Sequence, residues 1–248
     1  MITQAEPFYL PVAMDQFFDI IRGKHAVVGC VLLSASPFGK KESTWRKAAR
    51  TFSVFGFRFF LHYAIRLTLL KVFRRKTVAD VLKANGVPII TLERSINDKT
   101  SLAQIRELSP DLFVSIAGNE IFKSPLLEIA PCLNLHTAPL PRYRGLMPTF
   151  WALRFGESET AVSIFLVDEG IDSGPIVVQK RIAIDGMSQA QLIRETKSLG
   201  MIAMVEAIDL MSSGSPNLIE NDANQASYYS FPTRNDVRAF IAAGAKFY

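Results

Sequence analysis

The sequence predicts an α/β protein built on a Rossmann-like, mostly parallel sheet flanked by helices. Two observations predict it. Short apolar runs of strand length recur at 26–34, 87–92, 111–117 and 132–137, and stretches with helical spacing separate them. Strands that alternate with helices in this way form parallel βαβ units. With 248 residues, 49% of them hydrophobic, the chain can bury a sizeable core. One main domain is expected over 1–214, followed by a short extension over 215–248 that is too small to fold as an independent barrel.

The elements follow in order. Residues 1–4 read as a short first strand, 12–22 as a helix, and 26–34 as a buried strand. Residues 77–85 read as a helix stopped by Gly86, followed by a strand over 87–92. A helix over 101–108, a strand over 111–117, a short helix over 124–129 and a strand over 132–137 come next. Residues 148–155 read as a helix, and 160–167 and 176–184 as strands around a loop that carries Asp172. The long helix over 188–212 opens with Ser188 and Gln191, a capping pair.

Composition narrows the function classes. Cys30 and Cys132 sit in apolar strand-like runs and read as buried thiols of a reducing compartment. The histidines are His25, His62 and His136, so no Cys/His cluster offers a zinc site and no metal is expected. The opening Met-Ile-Thr-Gln-Ala-Glu-Pro has neither a basic start nor an apolar core of a signal peptide, which predicts a cytoplasmic protein.

The chemistry concentrates in Asn134-Leu135-His136 and in Asp172, which lies 36 residues beyond His136. On a strand, residues two apart point to one face, so Asn134 and His136 project together and Leu135 turns into the core. An amide that donates to an oxyanion, an imidazole that moves a proton and a carboxylate that orients it make an acyl-transfer set. No Ser or Cys nucleophile stands at motif spacing nearby, so the attacking group comes from the substrate. Each residue alone has an ordinary reading: Asn134 as a strand-end amide, His136 as a structural histidine, Asp172 as a turn residue before Ser-Gly-Pro. Their combined spacing and flanks outweigh those readings. In open parallel sheets, ligands sit beyond the carboxyl ends of strands, where this strand would deliver Asn134 and His136.

The flanks carry a family resemblance. Leu133-Asn-Leu-His-Thr-Ala-Pro-Leu-Pro-Arg-Tyr-Arg-Gly145 and Phe165-Leu-Val-Asp-Glu-Gly-Ile-Asp-Ser-Gly-Pro-Ile176 resemble the two signature loops of the folate-dependent formyltransferases. That family includes glycinamide ribonucleotide transformylase, methionyl-tRNA formyltransferase, sugar N-formyltransferases and formyltetrahydrofolate hydrolase. The resemblance is clear over residues 110–185 and general in layout before them. It implies a formyltransferase catalytic domain, with 10-formyltetrahydrofolate as the formyl donor and an amine as the acceptor. Asn134 would then donate to the tetrahedral oxyanion, an effect of roughly 3–4 kcal/mol for a well-placed donor. His136 would stabilise the oxyanion when protonated or accept the amine proton when neutral. Asp172 would hold His136 and help relay the proton, and whether His136 or Asp172 takes that proton stays open.

The resemblance also implies binding residues. Gly118, Asn119, Glu120, Ile121 and Phe122 match the loop that lines the folate pocket, although Asn119 and Glu120 are more polar than is usual there. The turn of Asp168, Glu169, Gly170 and Ile171 would contact the pterin through its backbone. Arg142, Tyr143, Arg144 and Gly145 form a basic, aromatic loop that could grip a phosphate or sugar of the acceptor, with a plain solvated loop as the alternative.

One segment departs from the family layout. Residues 40–76 hold eleven Lys or Arg and one acid, a net of +10, so the rest of the chain carries −5 against a total of +5. Arg58, His62 and Arg66 recur every four residues, which predicts a continuous helix over 51–76 with one polar stripe. Three polar groups within it argue against a membrane-spanning helix. It could lie peripherally on the inner face of an anionic membrane, be buried in the domain or a homodimer interface, or bind nucleic acid. About 35 residues follow the long helix, fewer than the C-terminal tRNA-gripping domain that methionyl-tRNA formyltransferases carry. The favoured acceptor is therefore a small-molecule amine, an amino sugar on a nucleotide or lipid carrier. A methionyl-tRNA formyltransferase is the alternative, and a non-catalytic folate-binding protein is the alternative of another class.

Overall fold

The chain opens on β1 (Ile2–Gln4) and passes into α1 (Leu10–Ile21), which starts two residues earlier than apolar spacing predicts. Glu6 explains the early start. Its carboxylate accepts from the backbone N–H groups of Phe8, Tyr9 and Leu10 at 2.7, 2.9 and 3.0 Å, satisfying donors that a helix start leaves unpaired. The computed structural model describes residues 1–35, 43–214 and 216–248. Lys40, Lys41 and Glu42, with which the basic segment begins, and Ser215, at the expected start of the extension, lie outside the described residues.

β2 (Cys30–Leu33) occupies only the second half of the predicted 26–34 run. Its partners set that length: β1 pairs alongside Val31–Leu33, and β3 (Ile89–Ile90) alongside Cys30 and Val31. β3 is itself far shorter than the predicted 87–92, because it lies at the sheet edge and Pro88 brings no N–H to the ladder. Between them, α2 (Thr44–Val72) and α3 (Val78–Ala84) fill the connection. The predicted continuous helix over 51–76 needs correction. α2 begins earlier, on the Ser43 cap, ends at Val72, and breaks at Gly56, whose φ of 83° lies in the left-handed region that glycine alone enters without penalty.

The remaining elements are α4 (Lys99–Glu107), β4 (Phe113–Ile116), α5 (Ser124–Leu127), β5 (Cys132–His136), β6 (Arg144–Gly145), α6 (Pro148–Arg154), β7 (Glu159–Leu166), β8 (Ile176–Ala183), α7 (Gln189–Ser212), β9 (Tyr228–Tyr229) and α8 (Arg234–Ala242). Among the described residues, seven strands form one sheet in the order β3-β2-β1-β4-β5-β7-β8. The five from β3 to β5 run parallel, and β7 and β8 add antiparallel. The predicted mostly parallel, Rossmann-like sheet is the one observed.

Alternation along each strand divides the core. Leu133 and Leu135 of β5, with Val114 and Ile116 of β4, face the layer of α1, α3 and α7. Cys132 and Phe113 face the opposite layer with Leu102 and Ile105 of α4 and Leu126 of α5. Asn134 and His136 share the register of Cys132, so they emerge on that second face as the strand ends. Strand order reverses between β1 and β4, and the loop after β4 opens at this switch point, where α/β sheets hold ligands.

The last 34 residues add elements of their own beyond those predicted. β9 pairs with β6 in a separate two-stranded sheet, and α8 packs Val237 and Phe240 against Phe150 and Trp151 of α6. Phe240 and Phe247 stack near Phe150, so these aromatics cover apolar surface.

Candidate active site

Strand pairing fixes the two β5 residues. Asn134 pairs with Ser115 of β4 on one side and Phe165 of β7 on the other, and His136 stands opposite Ser163. Leu135 turns away and packs against Gly200 of α7, as alternation requires. Asn134, His136 and Asp172 all line one cavity of about 830 Å³, within the usual range for small-molecule sites.

His136 is buried, and its surroundings decide its tautomer. Nε2 lies 2.7 Å from the Tyr143 carbonyl oxygen, which can only accept, so Nε2 carries a proton in every protonation state. In the neutral ring Nδ1 is then a bare lone pair. Nδ1 sits 3.6 Å from Asp172 Oδ2. A proton arriving at Nδ1 would produce an imidazolium facing a carboxylate, and this geometry suits a base that must hold a proton briefly.

Asp172 is placed by backbone contacts. Its Oδ2 accepts from the Gly145 N–H at 2.8 Å, and its φ of 49° turns the loop sharply. Gly145 must be glycine, since its φ is +96° and an added Cβ would lie 2.3 Å from the Tyr229 carbonyl. From the far side, the Asn221 amide donates to the Asp172 carbonyl at 2.9 Å and to the Gly174 carbonyl at 2.8 Å. Arg144 in turn donates to Asn221 Oδ1 at 2.8 Å. Asn221 was missed in the sequence because it lies 49 positions from Asp172, in a stretch with no motif around it. Ser227, whose hydroxyl accepts from the Tyr143 N–H at 2.9 Å, was missed for the same reason.

The loop after β4 places all of Gly118, Asn119, Glu120, Ile121 and Phe122 on the cavity. The polarity of Asn119 and Glu120 has a structural use. Asn119 donates to the Ser34 carbonyl at 2.8 Å, and the Glu120 carboxylate accepts from the Ser95 hydroxyl at 2.6 Å and the Ile96 N–H at 3.1 Å. Gly118 lets the loop pass close to β4, since a Cβ there would meet Ser115 Oγ at 2.6 Å. Asp168, Gly170 and Ile171 also line the cavity, whereas Glu169 turns aside to accept from the Ser124 hydroxyl.

The acceptor-side loop is placed differently from its predicted role. Gly145 lines the cavity, but Arg142, Tyr143 and Arg144 stand behind it. Arg142 pairs with Glu157, which also accepts from the Tyr143 hydroxyl, and Arg144 is bound to Asn221. Tyr143 is buried against Tyr229, and burial together with Glu157 pushes its phenol up, so it stays a donor. These three act on the cavity through the backbone, above all through the Tyr143 carbonyl.

The opposite wall comes from α2, which contributes Phe60, Tyr63, Ala64 and Leu67, together with Phe231 of the C-terminal segment. Lys47 and Arg50, one turn apart near the start of α2, reach the same cavity. Cys132 offers no nucleophile, because burial pushes its thiol up to about 12 and keeps it protonated. Among the described residues no cluster of His, Cys, Asp or Glu converges as a metal site would require.

A folate-sized donor fits what is present. The cavity combines the loop at 118–122 and Asp168, Gly170, Ile171 and Asp172 of the second loop with apolar side chains such as Phe165 and Val167. That mixture suits a flat heteroaromatic ring held edge-on by backbone groups.

Comparison with known proteins gives the chain its relatives. Residues 68–208, more than half of the chain, match the family described as formyl transferase. The methionyl-tRNA formyltransferase of Kosmotoga olearia is 35% identical over 162 residues, covering 64% of this chain and 52% of that protein. The chain thus spans about half the length of the curated relatives it matches. In fold it is similar to an N-formyltransferase from Helicobacter canadensis crystallised with folinic acid and dTDP-3-aminofucose. That likeness has a TM-score of 0.61 at 17% identity and covers 98% of this chain and 78% of that one. It is also similar to glycinamide ribonucleotide transformylase 1 from Symbiobacterium toebii, with a TM-score of 0.61 at 16% identity over 89% of this chain and 93% of that one.

Proposed function

We propose that this chain, which belongs to the formyl transferase family, moves a formyl group from 10-formyltetrahydrofolate to the primary amine of a small acceptor, an amino sugar on a nucleotide or lipid carrier. The observation that carries this reading is the arrangement at His136: Nε2 committed to the Tyr143 carbonyl, Nδ1 facing Asp172, and Asn134 on the same cavity. When bound, the donor supplies an activated formyl carbon. Asn134 donates its amide hydrogen to the oxyanion that develops as the acceptor nitrogen bonds to that carbon. His136 accepts the amine proton at Nδ1, and Asp172 stabilises the resulting imidazolium across 3.6 Å. His136 then returns the proton to the departing folate nitrogen as its bond to the formyl carbon breaks. Loops 118–122 and 168–172 hold the pterin, and Gly118 keeps the first of them close to it.

Two observations support a small acceptor. α2 and Phe231 wall the cavity with apolar and aromatic side chains opposite the catalytic strand, and two cations line it, Lys47, which donates to the Ala35 carbonyl at 2.7 Å, and Arg50, which lies over the Phe231 ring, at a place where a carrier phosphate could compete for them. A second reading, an aminoacyl-tRNA acceptor, is favoured by the named activity of the sequence relatives.

The test is a panel of nucleotide-linked and lipid-linked amino sugars, with methionyl-tRNA beside them, incubated with 10-formyltetrahydrofolate. Gain of one formyl mass on an amino sugar, with matching release of tetrahydrofolate, is expected. Formylation of methionyl-tRNA alone would transfer the assignment to the second reading. Folate binding with no amine formylated would make the chain a binding protein.

A further inference from the structure

We propose that the outer face of the second half of α2 docks this protein on an anionic lipid surface. Beyond the Gly56 break, Phe57, Leu61, Ile65 and Leu69 recur every four residues, followed by Val72 and Phe73. All six are 44–67% exposed, so together they give this half of the helix a broad outward apolar face about four turns long. The inner face of the same helix is already occupied. Phe59 stacks on Phe55 and Tyr63 and meets Phe247 edge to face, while Phe60 and Leu67 line the cavity. The helix is thus apolar on both sides, with one side covered.

The polar residues behave differently from the single stripe that spacing suggested. A period-four row drifts by about 40° per step around a helix with 3.6 residues per turn. Arg58 stays on the outer face, His62 stacks on Tyr248 with ring centroids 3.9 Å apart, and Arg66 lies over the Phe8 ring at 4.7 Å. The exposed cations Arg58, Lys71, Arg74 and Arg75 flank the apolar face at both ends, and Lys76 beyond them pairs with Asp15 of α1. Residues 57–76 contain no acidic residue.

Charge selects the occupant. A second copy meeting this face about a twofold axis would set these cations against their equivalents with no carboxylate between them. A nucleic-acid backbone would satisfy the cations but leave six apolar side chains against phosphate. An anionic lipid surface satisfies both, with aromatic and aliphatic side chains at the acyl boundary and Arg and Lys at the headgroups. No helix of the described residues is long and apolar enough to cross a membrane, so the contact is one of lying on the surface. The proposal does not depend on the chemistry assigned to the cavity, because docking needs no turnover.

Co-sedimentation of the full chain with vesicles tests it. The chain should pellet with phosphatidylcholine vesicles containing about one third phosphatidylglycerol, pellet little with phosphatidylcholine alone, and be released as salt screens the charges. R74Q with R75Q should weaken binding about fivefold per charge removed. L61S with I65S should weaken it at least tenfold, with an unchanged circular dichroism melt, since both side chains are already solvent-exposed. No pelleting with anionic vesicles at low salt would overturn the proposal. So would a dimer in light scattering that L61S with I65S dissociates, or a tRNA complex tighter than vesicle binding and indifferent to the apolar pair.

Discussion

The two walls of the cavity are held by different forces. On the sheet side, Asn134 and His136 are placed by strand register, and Asp172 by backbone hydrogen bonds with Gly145 and Asn221. On the α2 side, Phe60, Tyr63 and Leu67 are placed by packing of a helix that breaks at Gly56 and rests on C-terminal aromatics. Backbone bonds fix a position to a fraction of an ångström and have few equivalents, whereas packing accepts many sequences of similar volume. The difference teaches where each property can vary. The wall that carries Asn134, His136 and Asp172 therefore tolerates little change, and the α2 wall can be rebuilt without disturbing it.

The sheet-side wall is most sensitive at His136. H136A should lower turnover by roughly 10²-fold or more, the usual size of an acid–base contribution, while folate affinity changes far less. D172N separates two duties of Asp172. The amide keeps an oxygen to accept from the Gly145 N–H but loses the charge facing Nδ1. Single-turnover formyl transfer should fall about as far as in H136A. Near-normal turnover in D172N would mean that Asp172 only anchors its loop, and the proton relay assigned to the pair would be wrong.

A smaller effect is expected at Asn221. N221A removes two hydrogen bonds to the Asp172 loop, which together contribute on the order of 2 kcal/mol. Because Asn221 acts through Asp172, kcat should drop roughly tenfold with little change in either KM. N221D, which cannot donate from either oxygen when ionised, should resemble N221A rather than the parent. An unchanged kcat in N221A, with the expected loss of stability, would make Asn221 a structural residue alone.

The unequal legibility of the two walls has the same origin. Leu135, Asn134 and His136 could be assigned to faces because strand alternation is a local rule, and Gly145 marks a turn that other residues cannot make. The sheet was readable from alternating apolar runs, though the internal strand β2 and the edge strand β3 were overestimated. Length there depends on partners such as β1, which is three residues long. What stayed hidden depends on distant contacts. Asn221 reaches Asp172, Ser227 meets Tyr143, and β6 finds β9 through folding that no local pattern encodes. Arg142 and Arg144 looked like ligand-gripping residues because a basic loop beside a site usually meets solvent or substrate, yet Glu157 and Asn221 already claim them.

The smallest predicted effect sharpens the comparison most, because it asks what the α2 wall touches. Leu67 lines the cavity from the helix and is only partly buried. L67A should therefore cost little stability, and it removes about 1–2 kcal/mol of apolar contact from whatever ligand lies against it. If that ligand is the acceptor or its carrier, acceptor KM should rise several-fold while kcat and folate KM stay at parent values, the pattern of lost uniform binding. A rise in folate KM would place the folate against α2 and leave the acceptor to the Gly145 side. If neither KM moves, α2 encloses the cavity without contacting a ligand, and acceptor choice must then come from the sheet-side loops that also carry the chemistry.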